Sequence, residues 1–149
     1  MFFIEREWII SLNNGRKVKN RIELESKLDS LSVLEEWIEG ITRTYCMEDE
    51  RAADILVAVT EAFTNAVVHG KDESNSVVIS AVILENEIAI GVRQACESCI
   101  PDIFTTTKLP YDLESPDGRG LYIMSQLSKR IDVSEDKKEI LLYFELQTK

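Results

Sequence analysis

TEAFTNAVVHG, residues 60–70, is the most informative segment of this chain, because it sets polar side chains along one flank of a predicted helix. That helix begins near Asp49, carries a core stripe, and ends at the glycine of the segment. Glu61, Asn65 and His69 follow one another at i, i+4 and i+8 on the other side. A solvated helix face is the ordinary explanation of such a row. Asn is a poor residue for mid-helix, however, and the row could instead hold a metal ion and polarise a hydroxyl.

DGRGLYIM, residues 117–124, is the second informative segment. Gly118 and Gly120 predict a glycine-punctuated turn that runs into an amphipathic helix over about 120–130. Such a turn lets phosphate approach backbone N–H groups closely, and Arg119 adds a positive charge. An ordinary loop-to-helix turn is the alternative, and the spacing fits neither a P-loop nor a Rossmann fingerprint. Together the two segments predict an ATP site between a helix and a loop.

Composition bounds the class of protein. The 149 residues are 44% hydrophobic, which predicts one domain with a real core rather than a disordered chain. The net charge of −10 argues against direct nucleic-acid binding and is compatible with a basic protein partner. We expect neither a signal peptide nor a membrane span, so the predicted location is the cytoplasm.

The three cysteines, Cys46, Cys96 and Cys99, are expected to be free thiols in that setting. The Cys96-x-x-Cys99 pair lacks a second matching pair, so a zinc site shared with His69 is a weak alternative. Near a helix C-terminus, His69 has a simpler explanation, since the helix dipole favours an imidazolium there.

The pattern of apolar residues predicts an α/β two-layer sandwich, with helices on one face of a mixed, mostly antiparallel sheet. A helix opens at Ser30 or Ser32, and Ser32 and Glu35 have the spacing of a capping box. A long loop is expected over 94–117. The predicted strands are 4–12, 18–25, 76–84, 87–93, 131–133 and 140–146, with a turn at 13–15.

The motifs, taken in order, resemble a known superfamily. Glu-x-x-x-Asn-Ala-x-x-His-Gly, a strand pair, a long loop and Gly-x-Gly-Leu-x-Ile-Met resemble the ATPase domain of gyrase, the ninety-kilodalton heat-shock chaperone, histidine kinases and mismatch-repair ATPases. Residues 60–70, 103–106 and 118–124 look most like the small bacterial anti-sigma-factor serine kinases. The resemblance covers about 21–146, which implies a histidine-kinase-like ATPase domain over 21–149 after an N-terminal strand extension over 1–20.

The resemblance also implies roles for individual residues. Asn65 would coordinate Mg²⁺ that bridges the ATP phosphates, and Glu61 would be the general base on a serine of a partner protein. The other implied ATP-binding positions are His69, Gln94, Thr105, Thr106, Gly118, Arg119, Gly120 and Leu121. The implied partners are a sigma factor or related regulator, which the protein holds, and an anti-anti-sigma-type protein, which it phosphorylates. By analogy the chain would form a homodimer.

Two positions depart from the family pattern. The family carries Asp-x-Gly after the second hairpin, and its Asp accepts a hydrogen bond from the adenine amino group; Gln94 and Cys96 stand at these places. Gln still offers a carbonyl acceptor, although it is longer and uncharged. Two functions therefore stay open: an ATP-dependent serine kinase, and a binding module with a decayed nucleotide pocket that acts by partner exchange. A generic α/β domain with no ATP history is the third and weakest alternative.

Overall fold

A computed structural model gives the fold and describes residues 3–5, 9–10, 17–69, 76–94, 116–134 and 138–146. The described helices are α1 (Leu31–Thr44), α2 (Asp49–His69) and α3 (Pro116–Leu127). The described strands are β1 (Phe3–Glu5), β2 (Ile9–Ile10), β3 (Lys17–Glu25), β4 (Ser76–Ile83), β5 (Glu87–Gln94), β6 (Arg130–Val133) and β7 (Glu139–Glu145).

The strands form one sheet in the order β1-β3-β4-β5-β7-β6, and β2 also pairs with β3. Every pairing between the described strands is antiparallel. At the centre, Ile79 of β4 is opposite Ile22 of β3 on one side and Val92 of β5 on the other. The predicted two-layer sandwich with a mostly antiparallel sheet is therefore confirmed.

The helices cover one face of this sheet. Burial alternates along β4, as a strand with one covered face requires. On α2 the predicted stripe is buried, with Phe63 fully inaccessible to solvent, and the Met124 side chain of α3 joins the same core. None of the described helices is both long and apolar enough to cross a membrane. The layer of helices therefore owes its place to the apolar stripe that it packs on the sheet.

Charged side chains cover part of the opposite face. One carboxylate oxygen of Glu87 accepts from Lys129 at 2.8 Å and from Arg130 at 2.9 Å. These contacts, the Arg130 hydrogen bond first, lower the pKa of the Glu87 carboxyl below its ordinary 4.5. The Arg130 guanidinium also stacks 3.8 Å over the ring of Tyr143. Ion pairs and long side chains thus shield sheet residues that no described helix covers.

The start of α1 confirms one of its two predicted positions. Ser30 directly precedes the helix, which begins at Leu31 after a 3-10 turn over Leu28–Ser30, whereas Ser32 lies inside the helix and the capping box with Glu35 is wrong. The Ser30 hydroxyl donates to the Glu25 carbonyl at 2.9 Å instead of capping the helix. This contact joins residues five apart in the sequence and ties the helix start to the end of β3.

Two boundaries next to the site also differ. Helix α3 begins at Pro116, four residues earlier than expected, so Gly118 and Gly120 lie inside the helix rather than in a turn before it. Proline is favoured in the first turn of a helix, where its missing N–H has no intrahelical partner to lose. Strand β5 continues through Gln94, which the sequence placed in the loop.

The other predicted elements agree within a few residues. Strands β3, β4, β5, β6 and β7 and helix α2 lie where they were expected. The strand predicted over 4–12 overlaps β1 and β2, whereas 6–8, 11–12 and the turn at 13–15 lie outside the described residues.

Removing a core side chain of α2 should lower the stability of the fold. We expect Phe63→Ala to lower the free energy of unfolding by about 3–5 kcal/mol, because it leaves a cavity where the ring was fully buried. Val68→Ala on the same helix, where the side chain is 63% exposed, should change it by less than about 0.5 kcal/mol. Urea titration of both variants measures the difference, and equal losses would contradict the described packing.

Candidate functional site

The site lies where α3 crosses α2. A methyl group built on Gly120 would lie 3.1 Å from Asn65 Nδ2, 3.1 Å from Glu61 Oε2 and 3.6 Å from Asn65 Oδ1. Two of the three side chains of the predicted polar row, those of Glu61 and Asn65, therefore meet beside the Gly120 backbone. A larger residue at this position would crowd both side chains.

Asn65 is buried rather than solvated. Its side chain is 7% exposed, and its Nδ2 has no hydrogen-bond partner among the described residues. A buried amide donor without a partner costs stability, and native structures keep few such groups without a functional reason. The solvated-face explanation of the row is therefore wrong at Asn65, because α3 covers it. An unsatisfied buried group of this kind is typical of a site where a ligand binds.

The side chains fit a magnesium ion carried by a nucleotide. Mg²⁺ prefers oxygen ligands and commonly takes only one or two from protein, the rest coming from phosphate and water. Asn65 Oδ1 and Glu61 Oε2 supply oxygens at this place, and the nitrogen and oxygen of an Asn amide exchange by a simple flip. Among the described residues, no three His, Cys, Asp or Glu side chains cluster closely enough to hold a metal alone. The oxygen set therefore suits an ion that arrives with its phosphates.

Gln94 is the second buried amide near this place. Its side chain is 6% exposed, and its Nε2 donates to the carbonyl of Ala66, the residue after Asn65, at 3.4 Å. Its backbone N–H donates to the Lys138 carbonyl at 2.9 Å, which anchors it to the chain entering β7. The side-chain contact with α2 was not predicted, since no local pattern links residues this distant in sequence.

The first turns of α3 bring the glycine motif to the site. Gly118 and Gly120 are buried and Arg119 is exposed. Helix N-termini attract anions through their N–H groups and dipole, so this end of α3 is suited to phosphate. The Leu121 side chain, by contrast, lies in the hydrophobic core, 5% exposed, where it packs instead of facing solvent.

Several predicted residues lie where the structure gives no side chain. His69 is the last residue of α2, and only its backbone is described. Thr105, Thr106, Cys96 and Cys99 lie outside the described residues. Cys46, in the connection between α1 and α2, is an exposed free cysteine.

Comparison with known proteins identifies the family. The sequence profile of the histidine kinase-like ATPase domain matches residues 24–144. The chain belongs to that family. A serine-protein kinase RsbW of Halalkalibacterium halodurans is 27% identical over 122 residues, covering 78% of this chain and 75% of the relative.

Two further relatives are named anti-sigma F factor. The one from Clostridium perfringens (strain SM101) is 34% identical over 98 residues, covering 60% of this chain and 67% of the relative. The one from Clostridium acetobutylicum is 33% identical over 95 residues, covering 59% of this chain and 64% of the relative. The resemblance to anti-sigma-factor kinases that the motifs predicted is thereby confirmed.

In this histidine kinase-like ATPase domain, we expect Asn65 to lower the free energy of unfolding when no ligand is bound. We expect Asn65→Leu to raise the free energy of unfolding without ligand by about 1 kcal/mol, because it removes a buried donor with no described partner. Urea titration of the wild type, Asn65→Leu and Asn65→Ala tests this. The alanine variant shares the gain in helix propensity and leaves a cavity, so it should be less stable than the leucine variant. A leucine variant less stable than the wild type would contradict the account.

Proposed function

We propose that this chain is an ATP-dependent protein serine kinase of the anti-sigma type, which binds Mg-ATP between α2 and α3. The observation that carries the proposal is the convergence of Glu61 and Asn65 on the space beside Gly120. A carboxylate suited to take a proton and an amide suited to ligate a cation then share one wall of the site. Phosphoryl transfer needs positioning and neutralisation of charge more than covalent chemistry, and this pair supplies both.

Each side chain has a stated role. Glu61 accepts the proton of the partner's serine hydroxyl as that oxygen forms a bond to the γ-phosphorus. The bond from the γ-phosphorus to the β–γ bridging oxygen breaks, and ADP leaves with the electron pair. Asn65 would hold a Mg²⁺ through its amide oxygen, and that ion would neutralise charge on the phosphates.

The remaining predicted residues complete the nucleotide site in this proposal. Arg119 and the α3 N-terminus attract the phosphates, and Gln94 lies on the adenine side. His69, Thr105, Thr106, Gly118 and Leu121 belong to the same site by resemblance. Residues 21–149 form the ATPase domain and 1–20 an added extension, which agrees with a family profile that begins at residue 24.

The partners follow from the relatives' names. Names such as serine-protein kinase and anti-sigma F factor support a regulator that holds a sigma factor or a related protein and phosphorylates its antagonist. Exchange between the two partners would then control transcription in the cytoplasm, and the regulator would act as a homodimer. The net charge of −10 suits a partner with a basic surface.

The alternative function is a binding module with a decayed nucleotide pocket. The departure at Gln94 favours it, whereas Glu61, Asn65 and the close approach of Gly120 favour catalysis. A decayed site has no need to keep a buried, unpartnered amide, because replacing it would gain stability. The kinase is therefore the better supported of the two functions.

Mg-ATP should stabilise the protein through Asn65. At a concentration 100 times the Kd, binding to the folded state alone adds about 2.7 kcal/mol to the free energy of unfolding. We expect a rise in Tm for the wild type and for Glu61→Gln, and a much smaller rise for Asn65→Ala. Differential scanning fluorimetry with and without Mg-ATP makes the measurement, with Glu50→Gln, an exposed position on the same helix, as the matched control. No shift in the wild type at millimolar Mg-ATP would favour the decayed binding module.

Transfer is tested separately from binding. ATP labelled at the γ-phosphate is incubated with the protein and an extract of its source cell, and labelled serines are mapped by mass spectrometry. Labelling that depends on the wild type and is lost with Glu61→Gln, although Glu61→Gln still binds Mg-ATP, supports the general base. Equal labelling by both proteins would refute that role.

A further inference from the structure

The Ala66 carbonyl lies in the last turn of α2, one residue after Asn65. The Ala66 side chain is 7% exposed, so this part of the helix packs on the core. Near the end of a helix a carbonyl can accept from a donor on another element, and a buried carbonyl requires a donor.

Gln94 supplies a donor from the sheet. Its Nε2 lies 3.4 Å from the Ala66 carbonyl oxygen, a long but buried hydrogen bond. The donor is held on both sides of β5, since Gln94 is opposite Val77 of β4 and its backbone N–H donates to the Lys138 carbonyl. The contact thus joins a rigid strand to the last turn of the helix that carries Asn65.

We propose that Gln94 is a positioning residue, which holds the last turn of α2 against β5 and so keeps Asn65 directed at the space beside Gly120. A carboxylate at this position lacks an N–H, so it accepts hydrogen bonds and has none to donate to a carbonyl. The amide at the place where the family carries Asp therefore has a structural cause in this chain. The consequence for Mg-ATP rests on the proposed function, whereas the effect on the helix end does not.

Hydrogen exchange without nucleotide tests the contact itself. Gln94→Met keeps the length of the side chain and removes the donor; Gln94→Glu keeps the shape and, when ionised, also lacks it. We expect the backbone amides of the last α2 turn to exchange about threefold to tenfold faster in both variants, while the first turn of α2 is unchanged. Gln126→Glu, at an exposed position on α3, is the matched control and should behave as the wild type. Unchanged exchange in Gln94→Met would overturn the proposal.

A double-mutant cycle tests whether Gln94 acts through Asn65. Mg-ATP affinity is measured by calorimetry for the wild type, Gln94→Met, Asn65→Ala and the double variant. We expect Gln94→Met to weaken binding about threefold to tenfold in the wild type and to have little effect once Asn65 is gone. Additive losses would overturn the proposal and assign Gln94 to a direct contact with the base.

Hydrogen exchange and calorimetry together distinguish failure of the proposed function from failure of the positioning role of Gln94. If the wild type binds no Mg-ATP, the proposed function fails, while hydrogen exchange still decides whether Gln94 holds the helix end. If Gln94→Met lowers Tm but neither speeds exchange at the helix end nor weakens Mg-ATP binding, Gln94 is a packing residue only. That result overturns the positioning role and leaves the kinase proposal intact.

Discussion

Helix α3 approaches α2 so closely at Gly120 that a side chain there would lie 3.1 Å from both Glu61 and Asn65. The rest of the site depends on this approach. It buries the Asn65 amide without giving its nitrogen a described partner, and it brings a carboxylate oxygen to the same space. The energetic cost of an unpartnered buried donor is large relative to the marginal stability of a domain of this size, so the arrangement points to a ligand that supplies the missing contact.

Packing of α2 on the sheet determines which of its side chains face α3. Strands β4, β5 and β7 present side chains to α2, whose Phe63 and Val59 are fully buried. The stripe fixes the rotation of α2, so Glu61 and Asn65 turn toward α3 together. At the end of β5, Gln94 contacts the same helix one residue beyond Asn65. Packing and site geometry are therefore parts of one arrangement.

Much of the fold could be predicted from the sequence, and most of the errors concern contacts between one element and another. Alternation located β4 and β5, and the helical stripe with its terminal glycine bounded α2, because both signals are local. The two motifs predicted that the segment around Gly118 lies beside Glu61 and Asn65, whereas periodicity alone placed Asn65 opposite the core and gave no sign that its side chain is buried. Gly118 and Gly120 indicated a turn, whereas the structure places them in a helix, where Gly120 lies close to α2. Ser32 had the spacing of a cap, but the contact of Ser30 with β3 fixed the start of α1 instead.

The most direct test is whether a divalent ion carried by ATP reaches the space beside Gly120. Mn²⁺ replaces Mg²⁺ as an oxygen-coordinated ion, and its unpaired electrons broaden nearby proton resonances in NMR spectra. With Mn-ATP, we predict strong broadening of the Asn65 side-chain amide and the Gly120 backbone amide, and weaker broadening at Gly40 on α1, which serves as the internal reference. Sharp signals from Asn65 and Gly120 in protein saturated with Mn-ATP would contradict it.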